Sequence, residues 1–158
     1  MSVAFLLGGC FTSSQPKFPL STAVPALGDG GRYVGYDRRS DGSFKREEPL
    51  DVRKRADGGY DFIDAKGKVT TLSLHRIGPD RYVAQASEGK TIHYVVLQID
   101  ARDVLSFATS CDKQDAAKMT ALGVVIDRYE CKIDGVADPA ALFAALNLGE
   151  PGSKMVRE

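Results

Sequence analysis

Few side chains in this sequence have the type and spacing of a working chemical site. The chain has two histidines, His75 and His93. Both fall in strand-like runs, and their rings could approach if those strands are near neighbours. A zinc site needs further ligands at a readable spacing, and no His-x-x-x-His or Cys-x-x-Cys stands in the chain. Asp61, Asp64, Asp100, Asp103 and Asp127 could supply paired carboxylates for acid–base work. Most of them lie at turn signals, where aspartate serves the local backbone. Tyr33, Tyr36, Tyr60, Tyr82, Tyr94 and Tyr129 could line a pocket inside a curled sheet. Such residues more often build the core and girdle of a small β domain. Nucleophile elbow, phosphate loop, dinucleotide fingerprint and calcium loop are all missing. The expectation is no catalytic residue, no metal and no cofactor, with the ligand-binding residues unassigned. A catalytic reading would need a pocket that gathers one of the histidines with two or more carboxylates.

The most specific signal lies at the N-terminus. Val3-Ala4-Phe5-Leu6-Leu7-Gly8-Gly9-Cys10 is an apolar run that ends in small residues and a cysteine. It resembles the end of a bacterial lipoprotein signal peptide, with Leu7, Gly8, Gly9 and Cys10 in the places of the lipobox. The resemblance implies that the Cys10 thiol accepts a diacylglycerol. Residues 1–10 then read as a truncated signal, since secretory signals ordinarily run longer and begin with a basic region. Residues 11–28, with Thr12-Ser13-Ser14-Gln15-Pro16-Lys17 and three prolines, read as a polar tether. The resemblance covers about ten residues and carries no information on the domain. It does imply a place: the cell envelope, with the membrane reached through the lipid. Phe11, not an acidic residue, follows the cysteine, which in a bacterium with two membranes favours the outer one, facing the periplasm.

The same resemblance bears on the other cysteines. With Cys10 acylated, Cys111 and Cys131 remain as a candidate disulfide. Such a bridge closes a loop of about 20 residues and contributes roughly 3 kcal/mol. The alternative is two reduced cysteines buried as small hydrophobes.

Composition sets outer limits. The 158 residues suit one domain with a core of its own. The 21 basic and 21 acidic side chains cancel, which leaves no electrostatic footprint for nucleic acid. The basic clusters Arg38-Arg39 and Arg53-Lys54-Arg55 sit beside Asp37, Asp41, Asp51 and Asp57 and read as solvated faces. No apolar run reaches the ~20 residues of a spanning helix.

The body is organised around residues 60–99. Four strand-like runs, Tyr60–Asp64, Val69–Ile77, Arg81–Ser87 and Thr91–Ile99, are separated only by short turn signals. That spacing suits an antiparallel meander and excludes crossover helices. The last run is apolar on both faces, with Ile92, Tyr94 and Val96 opposite Val95, Leu97 and Ile99. Such a strand is covered on both sides, by the inside of a curled sheet and by a helix. Residues 32–36, 50–55, 104–108 and 124–133 read as further strands, the 50–55 run heading out to solvent or to an edge. Val69, Thr71, Ser73 and His75 are expected on an open face. Asp112 is the expected N-cap of one helix, closed by Gly123. Asp138-Pro139 starts a second helix over 140–148, ended by Gly149. Residues 151–158 read as a flexible tail.

These readings give an α+β fold, mainly antiparallel β. It is a curved meander or barrel-like sheet of about eight strands, covered by the C-terminal helix and spanning residues 29–150 as one domain. Charges on every strand argue against a membrane-spanning barrel. The glycine-and-tryptophan motif of lipocalins is absent. The function expected is a lipid-anchored envelope protein, not an enzyme, acting as a protein-binding, assembly or inhibitor module. The alternatives are a small-ligand carrier using the concave face and a hydrolase-like envelope enzyme.

Overall fold

The computed structural model describes residues 11–108, 110–128 and 130–158. Cys10, Tyr129 and the rest of the signal-like segment lie outside that set.

Alternation and short turns build a closed barrel. Seven strands follow one another as antiparallel neighbours: β2 (Gly30–Arg38), β3 (Phe44–Lys54), β4 (Tyr60–Ile63), β5 (Val69–Arg76), β6 (Arg81–Glu88), β7 (Thr91–Ile99) and β8 (Asp103–Phe107). The eighth, β11 (Ser153–Arg157), lies between β8 and β2 and pairs with both. This is a correction to the tail expected over 151–158. Ser153 and Met155 alternate inward while Lys154 stays outside, and the unpaired edges of β2 and β8 give the segment its ladder. The 50–55 run heads out to solvent, where Arg53 and Lys54 are exposed, and not to an edge, since β3 is flanked by β2 and β4.

Three short strands extend the sheet beside β7. β1 (Phe11–Ser13) pairs with the first half of β7, while β8 pairs with the second half. β10 (Glu130–Lys132) runs parallel to β1, and β9 (Val125–Asp127) is antiparallel to β10. The single strand expected over 124–133 is thus two, because the chain reverses near Arg128, which takes a φ of 57°.

Residues 11–28 are not a free tether. Phe11, Phe18 and Leu27 are all buried. Phe18 crosses the outside of β5, β6 and β7, where its N–H donates to Gln85 and its carbonyl accepts from the same amide, both at 3.0 Å. Leu27 then enters the end of the barrel. The prolines direct a packed strap here; they do not keep it extended in solvent.

Two cores result. The barrel interior holds Leu27, Tyr33, Leu50, Val52, Tyr60, Phe62, Leu72, Leu74, Ala84, Ala86, Val95, Leu97, Val104 and Met155. A second core lies outside β6 and β7 and gathers Phe11, Phe18, Val83, Tyr94, Val96, Phe107, Leu142 and Phe143. The two faces of β7 divide between these cores as the apolar pattern requires. Helix α2 (Pro139–Ala145) provides the cover, with Asp138 accepting from the Ala141 N–H at 3.0 Å as N-cap. It stops three residues short of expectation. Leu146 is extended, and Asn147 instead exchanges two hydrogen bonds with Gln114. Helix α1 (Ala116–Ala121) is capped by Asp115, not Asp112, which lies in a preceding 3-10 turn. Gly123 follows it with a φ of 94°, and a Cβ there would meet the Gly135 carbonyl oxygen at 2.6 Å.

Candidate functional site

The residues singled out from sequence do not converge on one point. Cys111 and Cys131 form a disulfide with Cα atoms 5.8 Å apart. Both are buried in the outer core. The bridge ties the 3-10 turn before α1 to β10, and through β10 to β1. Its role is to hold the outer lobe on the barrel.

The two histidines lie on β5 and β7, with β6 between them, and point to opposite sides of the sheet. His75 faces outward beneath the strap, 2% exposed. The Phe18 ring stacks on it at 4.9 Å. The Thr22 hydroxyl donates to the Pro19 carbonyl at 2.8 Å, so it accepts from His75 Nδ1–H, also at 2.8 Å. Nε2 then accepts from the Ser73 hydroxyl at 2.7 Å. Ser73 and His75 resemble a nucleophile and its base only in spacing. Both are buried under the strap, out of reach of a substrate. The face expected to be open is therefore half covered: Ser73 and His75 are buried, while Val69 and Thr71 remain exposed. Burial pushes the His75 imidazole below its ordinary 6.5.

His93 faces the barrel interior with Val95 and Leu97. Its Nε2 lies 3.6 Å from a Glu88 carboxylate oxygen. Among the described residues no group of three or more His, Cys, Asp or Glu side chains is arranged to hold a metal.

The aspartates mostly serve turns. Asp64 accepts from the Lys66 and Lys68 N–H groups, and Asp100 from those of Arg102 and Asp103. Asp61 accepts from Arg55 and Thr71, and Asp127 pairs with Lys132 at 3.4 Å. Backbone donors hold the Asp100 carboxyl below its ordinary range.

The tyrosines build structure. Tyr60 fills the barrel, donating to the Gly28 carbonyl at 2.7 Å and accepting from the Leu27 N–H at 3.2 Å. Tyr94 stacks on Phe143 at 5.6 Å in the outer core, its hydroxyl held by Ser13 and the Lys17 N–H. Arg157 closes the Leu27 end of the barrel. It donates to the Tyr33 hydroxyl at 3.3 Å and the Leu27 carbonyl at 3.2 Å, with a third bond to the Gly30 carbonyl. A cleft of about 220 Å³ at that end is lined by Tyr33, Asp100, Arg102 and Arg157. A second, of about 300 Å³, lies between the start of β7 and the β1–β10 pair, lined by Thr12, Lys90, Glu130 and Asp134. Neither is an apolar pocket of the kind that takes a small hydrophobic ligand.

Two features were not anticipated. One is the outer edge of β9. Val125 is 60% and Ile126 39% exposed, and no further strand pairs with β9 among the described residues. The sequence carried a signal, Val124-Val125-Ile126, but it was absorbed into a single covered strand. The other is a polar layer inside one end of the barrel, where Asp37, Ser106 and Ser153 meet by register. Comparison with protein-family models, with curated proteins and with solved structures finds no match.

Proposed function

We propose that the protein is a non-catalytic binding module of the cell envelope, held to the outer membrane by acyl chains on Cys10. Its partner adds a strand to the outer edge of β9. The observation that carries the binding edge is the exposure of Val125 and Ile126 on a strand whose other side alone is paired. Unpaired backbone groups beside apolar side chains are a template for an incoming strand. The filled barrel interior supports a surface role over that of a carrier for apolar ligands. The lobe that presents β9 is fixed by the Cys111–Cys131 bridge, so the edge is preorganised. The lipobox-like Leu7-Gly8-Gly9-Cys10 supports the anchor. Phe11 is buried immediately after Cys10, so an acylated chain would hold the barrel close to the bilayer, about one residue length away.

A photocrosslinking residue placed at Val125 in the acylated chain tests the edge, with Lys66 on the β4–β5 turn as control. A discrete adduct from position 125, absent from position 66 and lost with Ile126→Asp, is the expected result. Equal adducts from both positions would remove the edge from the reading. Labelling with a fatty-acid analogue tests the anchor separately: Cys10→Ser should abolish the label, and equal labelling of both forms would overturn it.

A further inference from the structure

The end of the barrel closed by Arg157 carries the cleft of about 220 Å³. Three segments meet there: the strap at Leu27, the β7–β8 turn at Asp100 and Arg102, and the last residue of β11, Arg157. The register sets the two arginines side by side. β8 and β11 pair Val104 with Met155 and Asp103 with Val156, and one step further on the Arg157 N–H donates to the Arg102 carbonyl at 3.1 Å. Directly opposite residues of an antiparallel pair lie on one face. Val104 and Met155 face the barrel core, so alternation turns Arg102 and Arg157 towards the same mouth.

The Arg157 guanidinium is fixed by the protein itself. Its Nε donates to the Tyr33 hydroxyl and its Nη2 to the Leu27 and Gly30 carbonyls. Its Cζ lies 5.5 Å from the Tyr33 ring centroid. A guanidinium carries five N–H donors, so the pair on Nη1 remains to be used. Among the described residues, neither that nitrogen nor the Arg102 guanidinium has a hydrogen-bond or carboxylate partner. The third charged group of the cleft is Asp100. Its Oδ1 accepts from the Arg102 and Asp103 N–H groups at 2.9 and 2.8 Å, and these donors keep the carboxyl ionised. Two cations and one anion leave one net positive charge. Leu27 and Val104, both buried, give the cleft an apolar wall.

We propose that this cleft binds a small monocarboxylate, with its oxygens on Arg157 Nη1 and the Arg102 guanidinium and its short hydrocarbon chain against Leu27 and Val104. The planar guanidinium fork matches the two oxygens of a carboxylate. The charge count sets the valence: one net positive charge suits a monoanion, and Asp100 opposes a dianion by like-charge repulsion. Tyr33 and the strap already hold Arg157 in place, so binding leaves little of it to order. The mouth of a barrel is also where such a ligand reaches both a charged rim and the apolar interior. The site is independent of the anchor at Cys10 and of the β9 edge.

The test uses the full chain at constant ionic strength, titrated with butyrate and followed by NMR shifts of the Arg102 and Arg157 amides. Butanol is the uncharged control and sulfate the dianion. Saturable shifts with butyrate, absent with butanol and weaker with sulfate, are expected. Arg102→Gln, at an exposed turn position, should weaken butyrate binding by about tenfold, the scale of one charge-assisted hydrogen bond. Arg157→Lys keeps the charge but loses the fork, and should weaken it at least as much. No saturable shift from butyrate, equal shifts from butanol, or undiminished binding by folded Arg102→Gln would overturn the site. Sulfate bound as tightly as butyrate by the unaltered chain would overturn the assignment of a monocarboxylate.

Discussion

Phe143 joins the outer lobe and the strap to the barrel, and its removal should separate the stabilities of the two cores. The ring is fully buried. It meets Phe11 edge-on at 5.5 Å, Tyr94 at 5.6 Å and Phe18 at 6.1 Å. Those partners belong to β1, β7 and the strap, so one side chain joins three separate segments of the outer core. Truncating a buried phenylalanine to alanine costs about 3–5 kcal/mol, from lost transfer energy and the cavity left behind. The barrel core is a separate cluster and contains none of the three partners. Phe143→Ala should therefore lower the amide protection of β1, β10 and α2 by about 4 kcal/mol in native-state hydrogen exchange. Protection of β3, β4 and β5 should fall far less. Phe62→Ala, in the barrel interior, is the matched control and should lower protection throughout. The Phe143–Tyr94 contact itself should show as a coupling of about 0.5–1.5 kcal/mol in a double-mutant cycle. A uniform loss from Phe143→Ala, or a loss below about 1 kcal/mol in the outer elements, would refute the division into two cores.

Four further outcomes follow from the same contacts. Replacing Cys111 and Cys131 together by serine should lower the stability by roughly 3 kcal/mol, read from urea midpoints, because the bridge closes a loop of about 20 residues; an unchanged midpoint would contradict this. His75 is held neutral in the folded chain, its pKa lowered by burial. As pH falls, the unfolded chain takes up the proton first, so His75's contribution is fully present above about 6.5 and is lost progressively below it. Stability measured from pH 8 to pH 5 should show that loss, and His75→Gln should show less of it. Met155→Ala, at a fully buried position on the closing strand, should cost about 2–5 kcal/mol, whereas Val156→Ala, on the barrel's outside, should cost much less; equal effects would mean the strand does not close the barrel. Ser106→Ala should raise the stability of the ligand-free chain, by up to about 1–3 kcal/mol, since it deletes a buried hydroxyl without a partner; a clear destabilisation would show that the hydroxyl is bonded.

What the sequence made legible was local. Tyr60, Leu72, Leu74, Val95 and Leu97 alternate with residues of the other face, and alternation over short spans is set by backbone geometry alone. The two-sided apolar pattern of β7 foretold both coverings before either was visible. The Asp138-Pro139 cap is equally local. The strand Ser153–Arg157 was illegible because its only cause is remote: two apolar residues gain a register from β2 and β8, more than a hundred and about fifty residues away. The strap fails as a tether for the same reason, since Phe18 is anchored by Gln85 and His75 on strands it does not adjoin in sequence. Of the candidate sites, the paired cysteines could be read because the other cysteine had an explanation of its own. Asp37, Ser106 and Ser153 each looked like an ordinary polar residue, and only closure sets them side by side.

That closure gives the polar layer its meaning. In an open sheet Asp37 and Ser106 would be solvated and would cost nothing. Inserting β11 between their strands buries Ser106 Oγ and Asp37 Oδ1 without a hydrogen-bond partner, at about 1–3 kcal/mol apiece. A domain of this size has only about 5–15 kcal/mol in hand. Alanine or valine at these inward positions would give a more stable barrel with the same topology, as they do elsewhere in it at Ala84, Ala86 and Val104. The polar side chains are thus a cost to the folded chain alone. Arg157 closes the far end of the same barrel with its donors on Tyr33, Leu27 and Gly30, and the unpartnered buried atoms of the described residues lie at the other end.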